Sequence, residues 1–147
     1  MRLLRSKRKN AKVGSAPGTL VHIGDQKIDQ ARISLIDYNG TAITEKTNLP
    51  FDEAIALCDG PNATWLNIDG LHDTDLIGQL GHHFDIHPLT LEDILNTGQR
   101  PKWEDFGHYI YVVLRTLRLD AQNSRIISEQ VSLIVTSKVL ISFQEHI

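Results

Sequence analysis

Residues 87–95, His87-Pro88-Leu89-Thr90-Leu91-Glu92-Asp93-Ile94-Leu95, set two adjacent carboxylates in a segment opened by a proline. The segment holds no cysteine or serine to serve as a covalent nucleophile. Paired hard-oxygen ligands without catalytic company point to a hard divalent cation, held or sensed rather than used for chemistry. Two carboxylates do not complete such a site, because Mg²⁺ demands an octahedral oxygen shell and keeps several waters. Water or another subunit must supply the rest. The plain alternative is a solvated helix face.

Other chemistries find less support. Seven histidines raise zinc, and His72, His82, His83 and His87 lie close together. However, no His-Glu-x-x-His is present, and the single cysteine, Cys58, excludes the common structural zinc patterns and any internal disulfide. These histidines read as solvated or hydrogen-bonded. There is no Gly-x-Ser-x-Gly elbow, and Gly78 and Gly81 fall inside a helical pattern rather than a phosphate loop. Glu92 and Asp93 point about 100° apart on a helix, so they do not converge as an acid/base pair. No nucleophile, base and orienter group together, and an enzyme is not expected.

A chain of 147 residues with 41% apolar content fits one domain with its own core. Its charge is unevenly placed. Arg2, Arg5, Lys7, Arg8, Lys9 and Lys12 give residues 1–16 a charge of +6 without an acid. The remaining 9 basic and 18 acidic residues leave the body at -9. A basic tail on an acidic body suits docking onto an anionic surface better than nucleic acid, since the tail has no interleaved aromatics. Near anionic lipid each Lys or Arg contributes roughly 1 kcal/mol. The N-terminus lacks the apolar region of a signal peptide, and no apolar run approaches the roughly 20 residues of a membrane-spanning helix.

The elements that must position the carboxylates follow from pattern. Gly14-Ser15-Ala16-Pro17-Gly18 separates the tail (1–16) from the body (17–147). Thr19 to Ile23 reads as a first strand. Arg32 to Tyr38 reads as a second, closed by Asn39-Gly40 with Thr41 to Lys46 as its hairpin partner. Pro50 to Leu57 reads as a helix with acids in its first turn, stopped by Gly60-Pro61. Ala63 to Ile68 reads as a buried strand with Trp65 and Leu66 in the core. Asp73 caps a helix running to about Phe84, with Leu76, Ile77, Leu80 and Phe84 on one face. The next helix runs from Pro88 to about Asn96. Leu91, Ile94 and Leu95 face inward, Glu92 and Asp93 face outward, and Gly98 serves as C-cap. Gln99 to Gly107 reads as a loop. Tyr109–Leu119, Arg125–Thr136 and Val139–Gln144 read as strands, the last two joined by a turn at Ser137-Lys138. Strands before and after a helical middle, without regular βαβ alternation, favour a mixed sheet covered by helices.

The order and spacing of several landmarks carry a family resemblance. They are Thr64-Trp65-Leu66-Asn67-Ile68, His87-Pro88-Leu89 with Leu91-Glu92-Asp93-Ile94-Leu95, Gln99-Arg100-Pro101-Lys102, Glu129-Gln130-Val131-Ser132-Leu133-Ile134 and Phe143-Gln144-Glu145. From Pro17 to Glu145 the chain resembles the N-terminal cytoplasmic domain of the CorA magnesium transporter family. The resemblance implies an α/β fold of α+β type, a mixed sheet sandwiched by helices (αβα). It implies a following stalk helix, two membrane helices and a homopentamer at the inner face of the cell membrane. The family's Gly-Met-Asn pore motif cannot be present, since Met1 is the only methionine. The chain also ends straight after a strand, on His146-Ile147, as a piece cut from a longer protein would.

By the same resemblance, Glu92 and Asp93 match a pair that binds regulatory Mg²⁺ between subunits, completed by acids on the next subunit's stalk. Co²⁺ and Ni²⁺ are further candidate ions. The expected role is sensing of intracellular Mg²⁺ to close the pore. Two alternatives stand beside it: the same domain of a zinc-transporting relative, and a stand-alone metal-responsive binding protein.

Overall fold

A computed structural model describes residues 16–122 and 124–145. The basic tail expected over residues 1–16 therefore lies outside the described residues, except for Ala16. The elements in chain order are β1 (Arg32–Tyr38), β2 (Ile43–Lys46), α1 (Phe51–Cys58), β3 (Ala63–Asp69), α2 (Thr74–His83), α3 (Pro88–Leu95), β4 (Lys102–Asp105), β5 (Ile110–Asp120), β6 (Arg125–Val135) and β7 (Val139–Gln144). The strands form one seven-stranded sheet in the order β2-β1-β3-β7-β6-β5-β4. Only β3 and β7 run parallel; every other pair is antiparallel. This is the mixed, helix-covered sheet that the sequence leads one to expect.

Period-2 alternation gives the sheet two unlike faces. Register aligns Leu35 with Leu66, Leu66 with Ile141, Ile141 with Ile134, and Ile134 with Tyr111 across five strands. All five are buried, as are Ile33, Ile68 and Phe143 on the same face. Helices α1, α2 and α3 cover that face. They add Ala54, Cys58, Leu76, Ile77, Leu80, Leu91, Ile94 and Leu95 to a single apolar core.

The helices start for identifiable reasons. Asp73 caps α2 by accepting the Leu76 N–H at 3.0 Å, which leaves one fewer unsatisfied donor in the first turn. Pro88 opens α3, where its missing N–H costs nothing. Gly81 lets α2 approach α3 closely, since a Cβ there would collide with Leu91.

Several expectations need correcting. Residues 19–23 form no strand. They make a strap with one parallel bridge, Ile23 to Asn96, in which Ile23 N–H donates to Leu95 O at 2.9 Å. The loop expected over 99–107 contains edge strand β4. Gly98 is not a left-handed cap: α3 ends at Asn96 in extended backbone, and the described positive-φ glycines are Gly18, Gly70 and Gly107. Trp65 is not in the core. It is 43% exposed because alternation turns Leu66 inward and Trp65 outward.

Candidate functional site

Helix α3 presents the paired carboxylates. Its inner face is fixed by Leu91, Ile94 and Leu95, each essentially excluded from solvent. Its start is fixed by Tyr109, whose hydroxyl accepts the His87 N–H at 3.2 Å and lies 3.1 Å from the Thr90 hydroxyl. The His87 side chain caps the helix, its Nδ1 accepting the Leu89 N–H. That engages one of its ring nitrogens within the chain. His83 bonds Asp59 at 3.1 Å rather than its histidine neighbours. Among the described residues no three His, Cys, Asp or Glu side chains gather to hold a metal ion.

With the helix so anchored, Glu92 and Asp93 fall on its outer side, as the inward placement of Leu91, Ile94 and Leu95 requires. Neither is fully solvated; both are half-buried. Glu92 Oε2 accepts the Gly18 N–H at 2.8 Å, which ties the strap to α3. Gly18 is needed there twice over. Its φ is +83°, and a Cβ would stand 3.1 Å from the Pro88 Cβ.

Asp93 has both oxygens engaged. Oδ1 accepts from the Gln99 side-chain amide at 2.8 Å, and Oδ2 accepts from the Lys102 ammonium at 2.7 Å. Lys102 also donates to Glu104 at 3.0 Å and sits 5.4 Å from the centre of the buried Tyr111 ring. Partial burial opposes its charge, but the bonds to Asp93 and Glu104 outweigh that and raise its pKa above the usual lysine value.

The structure thus places both expected carboxylates side by side on α3, and adds groups the pattern did not mark. Gly18, 74 positions from Glu92 along the chain, has no local signal. Gln99 and Lys102 lie in the landmark Gln99-Arg100-Pro101-Lys102 and could have been read as partners only by knowing that the chain turns back beside α3. Chemically, the set suits a hard divalent ion: carboxylate oxygens, partly exposed, with no thiolate nearby. It does not form a ready cage, because the Asp93 oxygens already hold an ammonium and an amide.

A family model described as CorA-like Mg2+ transporter protein matches residues 62–146, which include this helix and most of the sheet. The cobalt/magnesium transport protein CorA of Thermotoga maritima is 40% identical over 144 residues, covering 98% of this chain and 41% of that protein. The chain therefore spans about two-fifths of that relative's length. Two solved structures share the fold. The soluble domain of CorA from Methanocaldococcus jannaschii has a TM-score of 0.53 and 9% identity, covering 77% of this chain and 41% of that one. The cytoplasmic domain of ZntB from Vibrio parahaemolyticus has a TM-score of 0.58 and 18% identity, covering 79% and 44%.

Fold and site together define an α/β domain built on a mixed seven-stranded sheet that displays a carboxylate pair beside an edge strand. More particularly, the chain belongs to the CorA-like Mg²⁺ transporter family. Among its described residues no helix is long and apolar enough to cross a membrane.

Proposed function

We propose that this chain is the cytoplasmic sensing domain of a CorA-like magnesium channel, without catalytic activity of its own. In this reading Glu92 and Asp93 form one half of a regulatory cation site, and acids on a neighbouring subunit of a pentamer form the other half. Family membership carries the reading, supported by the anchored, outward carboxylate pair on α3. A bound Mg²⁺ would supply positive charge between two acidic surfaces.

The reasoning is electrostatic. Carboxylates facing each other across a subunit boundary repel and favour loosening; a cation shared between them reverses the sign. An ion that bridges two subunits binds the close-packed state better than the loosened one, and only such a difference shifts an equilibrium. High intracellular Mg²⁺ then holds the pore closed and depletion releases it. The basic tail, in the same reading, lies near anionic lipid.

Replacing both residues, Glu92→Gln with Asp93→Asn, in the full-length protein should blunt inhibition of transport by internal Mg²⁺. Flux that stays as sensitive to Mg²⁺ as the parent would refute the assignment. A second reading, the same domain of a zinc transporter, draws on the fold shared with the ZntB domain. Metal-specific flux through the full-length protein separates the two.

A further inference from the structure

We propose that Lys102 is a built-in counter-cation that holds the place of the divalent ion at Asp93 and sets the concentration at which that ion can enter. The inference rests on the cation role of Asp93 given above and names the competitor for it.

Three observations converge. The Lys102 ammonium is seated 2.7 Å from Asp93 Oδ2, where a cation would bind. The other Asp93 oxygen is turned to Gln99, so the carboxylate is held in the orientation that faces the ammonium. Lys102 also has a second anchor, Glu104, at 3.0 Å, and the face of Tyr111 beneath it. An incoming divalent ion therefore does not leave the ammonium stranded, because Glu104 and the ring keep a place for it.

Exchange at Asp93 then becomes a contest between a tethered single charge and a free double charge. A hydrated monovalent ion offers no more charge than the ammonium and lacks its tether. A divalent ion doubles the Coulomb term at similar distance. Lys102 thus filters by charge, and it delays binding until divalent ion is abundant. Its release also reaches the sheet, because Lys102 is the first residue of edge strand β4, which pairs with β5.

The test uses the full-length protein, in which neighbouring subunits supply the facing acids, with magnesium chloride as probe and amide NMR shifts as readout. Wild type, Lys102→Met, Asp93→Asn and Lys46→Met are titrated, and the amide fingerprint away from α3 reports folding. Lys46→Met removes the same charge from a distant pair with Glu53. Lys102→Met should tighten Mg²⁺ binding at least about threefold beyond Lys46→Met, the scale of one partly exposed ion pair. Asp93→Asn should remove the Asp93-dependent shifts. In wild type, Mg²⁺ should also move the Lys102 side-chain ¹⁵N resonance, and potassium at equal ionic strength should not.

If Asp93→Asn leaves Mg²⁺ binding intact, the cation role of Asp93 fails. If Asp93→Asn abolishes binding but Lys102→Met behaves like Lys46→Met, the counter-cation fails alone. Absence of Asp93-dependent shifts in both wild type and Lys102→Met also overturns it, since removing the ammonium would then have opened nothing. Should Lys102→Met lose its fold, the wild-type ¹⁵N response decides: a Lys102 resonance unmoved by saturating Mg²⁺ overturns the proposal.

Discussion

The two faces of the sheet behave as different materials. On the helix-covered face, Leu35, Leu66, Ile141 and Ile134 continue one another strand by strand and touch no solvent. On the opposite face the same strands carry Ile36, Trp65, Val131 and Leu133 beside Ser34, Asn67, Ser142 and Gln144, around a groove of about 390 Å³. Polar groups there bond one another rather than water alone. The Trp65 indole N–H donates to Ser142 at 2.9 Å, the Ser142 hydroxyl donates to Asn67 at 2.7 Å, and Gln144 donates to Asp69 at 2.8 Å. One face is held by volume and the other by a hydrogen-bond ladder. Damage to the first leaves a cavity, whereas damage to the second exposes groups that water can serve.

That contrast can be broken by measurement. Phe143→Ala on the covered face should cost about 3–5 kcal/mol in chemical denaturation. Trp65→Ala on the open face should cost less than half as much, because the ring is already 43% exposed. Equal losses would mean that the open face is buried in solution. Next in size, Asp73→Ala should cost about 1 kcal/mol by uncapping α2 in the covered layer, while Asp73→Ser or Asp73→Asn restores most of it.

The last effect appears only in alkali. Burial, followed by the charges of Asp59 and Asp37, raises the Cys58 thiol from 9.0 to about 11. The unfolded chain ionises first, so the stabilising contribution is whole below pH 9.0 and is lost as pH rises through about 11. A denaturation series over that range should slope downward, and Cys58→Ala should flatten it. An unchanged slope would place the thiol in water.

Legibility in the sequence divided along the same lines. β1 (Arg32–Tyr38) was readable to the residue because one of its sides must be dry, and Asp73 was readable as a cap because capping is local. Trp65 was misassigned by size: a large ring suggests a core, but the parity of β3 decides, and Leu66 takes the inner side. β4 was missed because Pro101 and a run of charges disguise an edge strand, whose unpaired side tolerates both. The false strand at 19–23 has apolar residues but makes only a single bridge.

At the site, the positions of Glu92 and Asp93 followed from helix geometry. Their partners did not follow. Gly18 and Lys102 arrive through tertiary folding, and no periodicity records a meeting between a strap, a helix and an edge strand.

The single parallel pair also sets a schedule. β7, the last strand among the described residues, lies in the middle of the sheet between β3 and β6. Until residues 139–144 emerge, β2-β1-β3 and β6-β5-β4 are two separate antiparallel three-stranded units, each exposing an edge that needs β7. During synthesis the ribosome therefore releases two half-sheets before their shared seam exists, and the chain cannot close its core domain-first from the N-terminus. The keystone arrives last, and a nascent chain stalled just short of it would carry two sticky edges into a crowded cell.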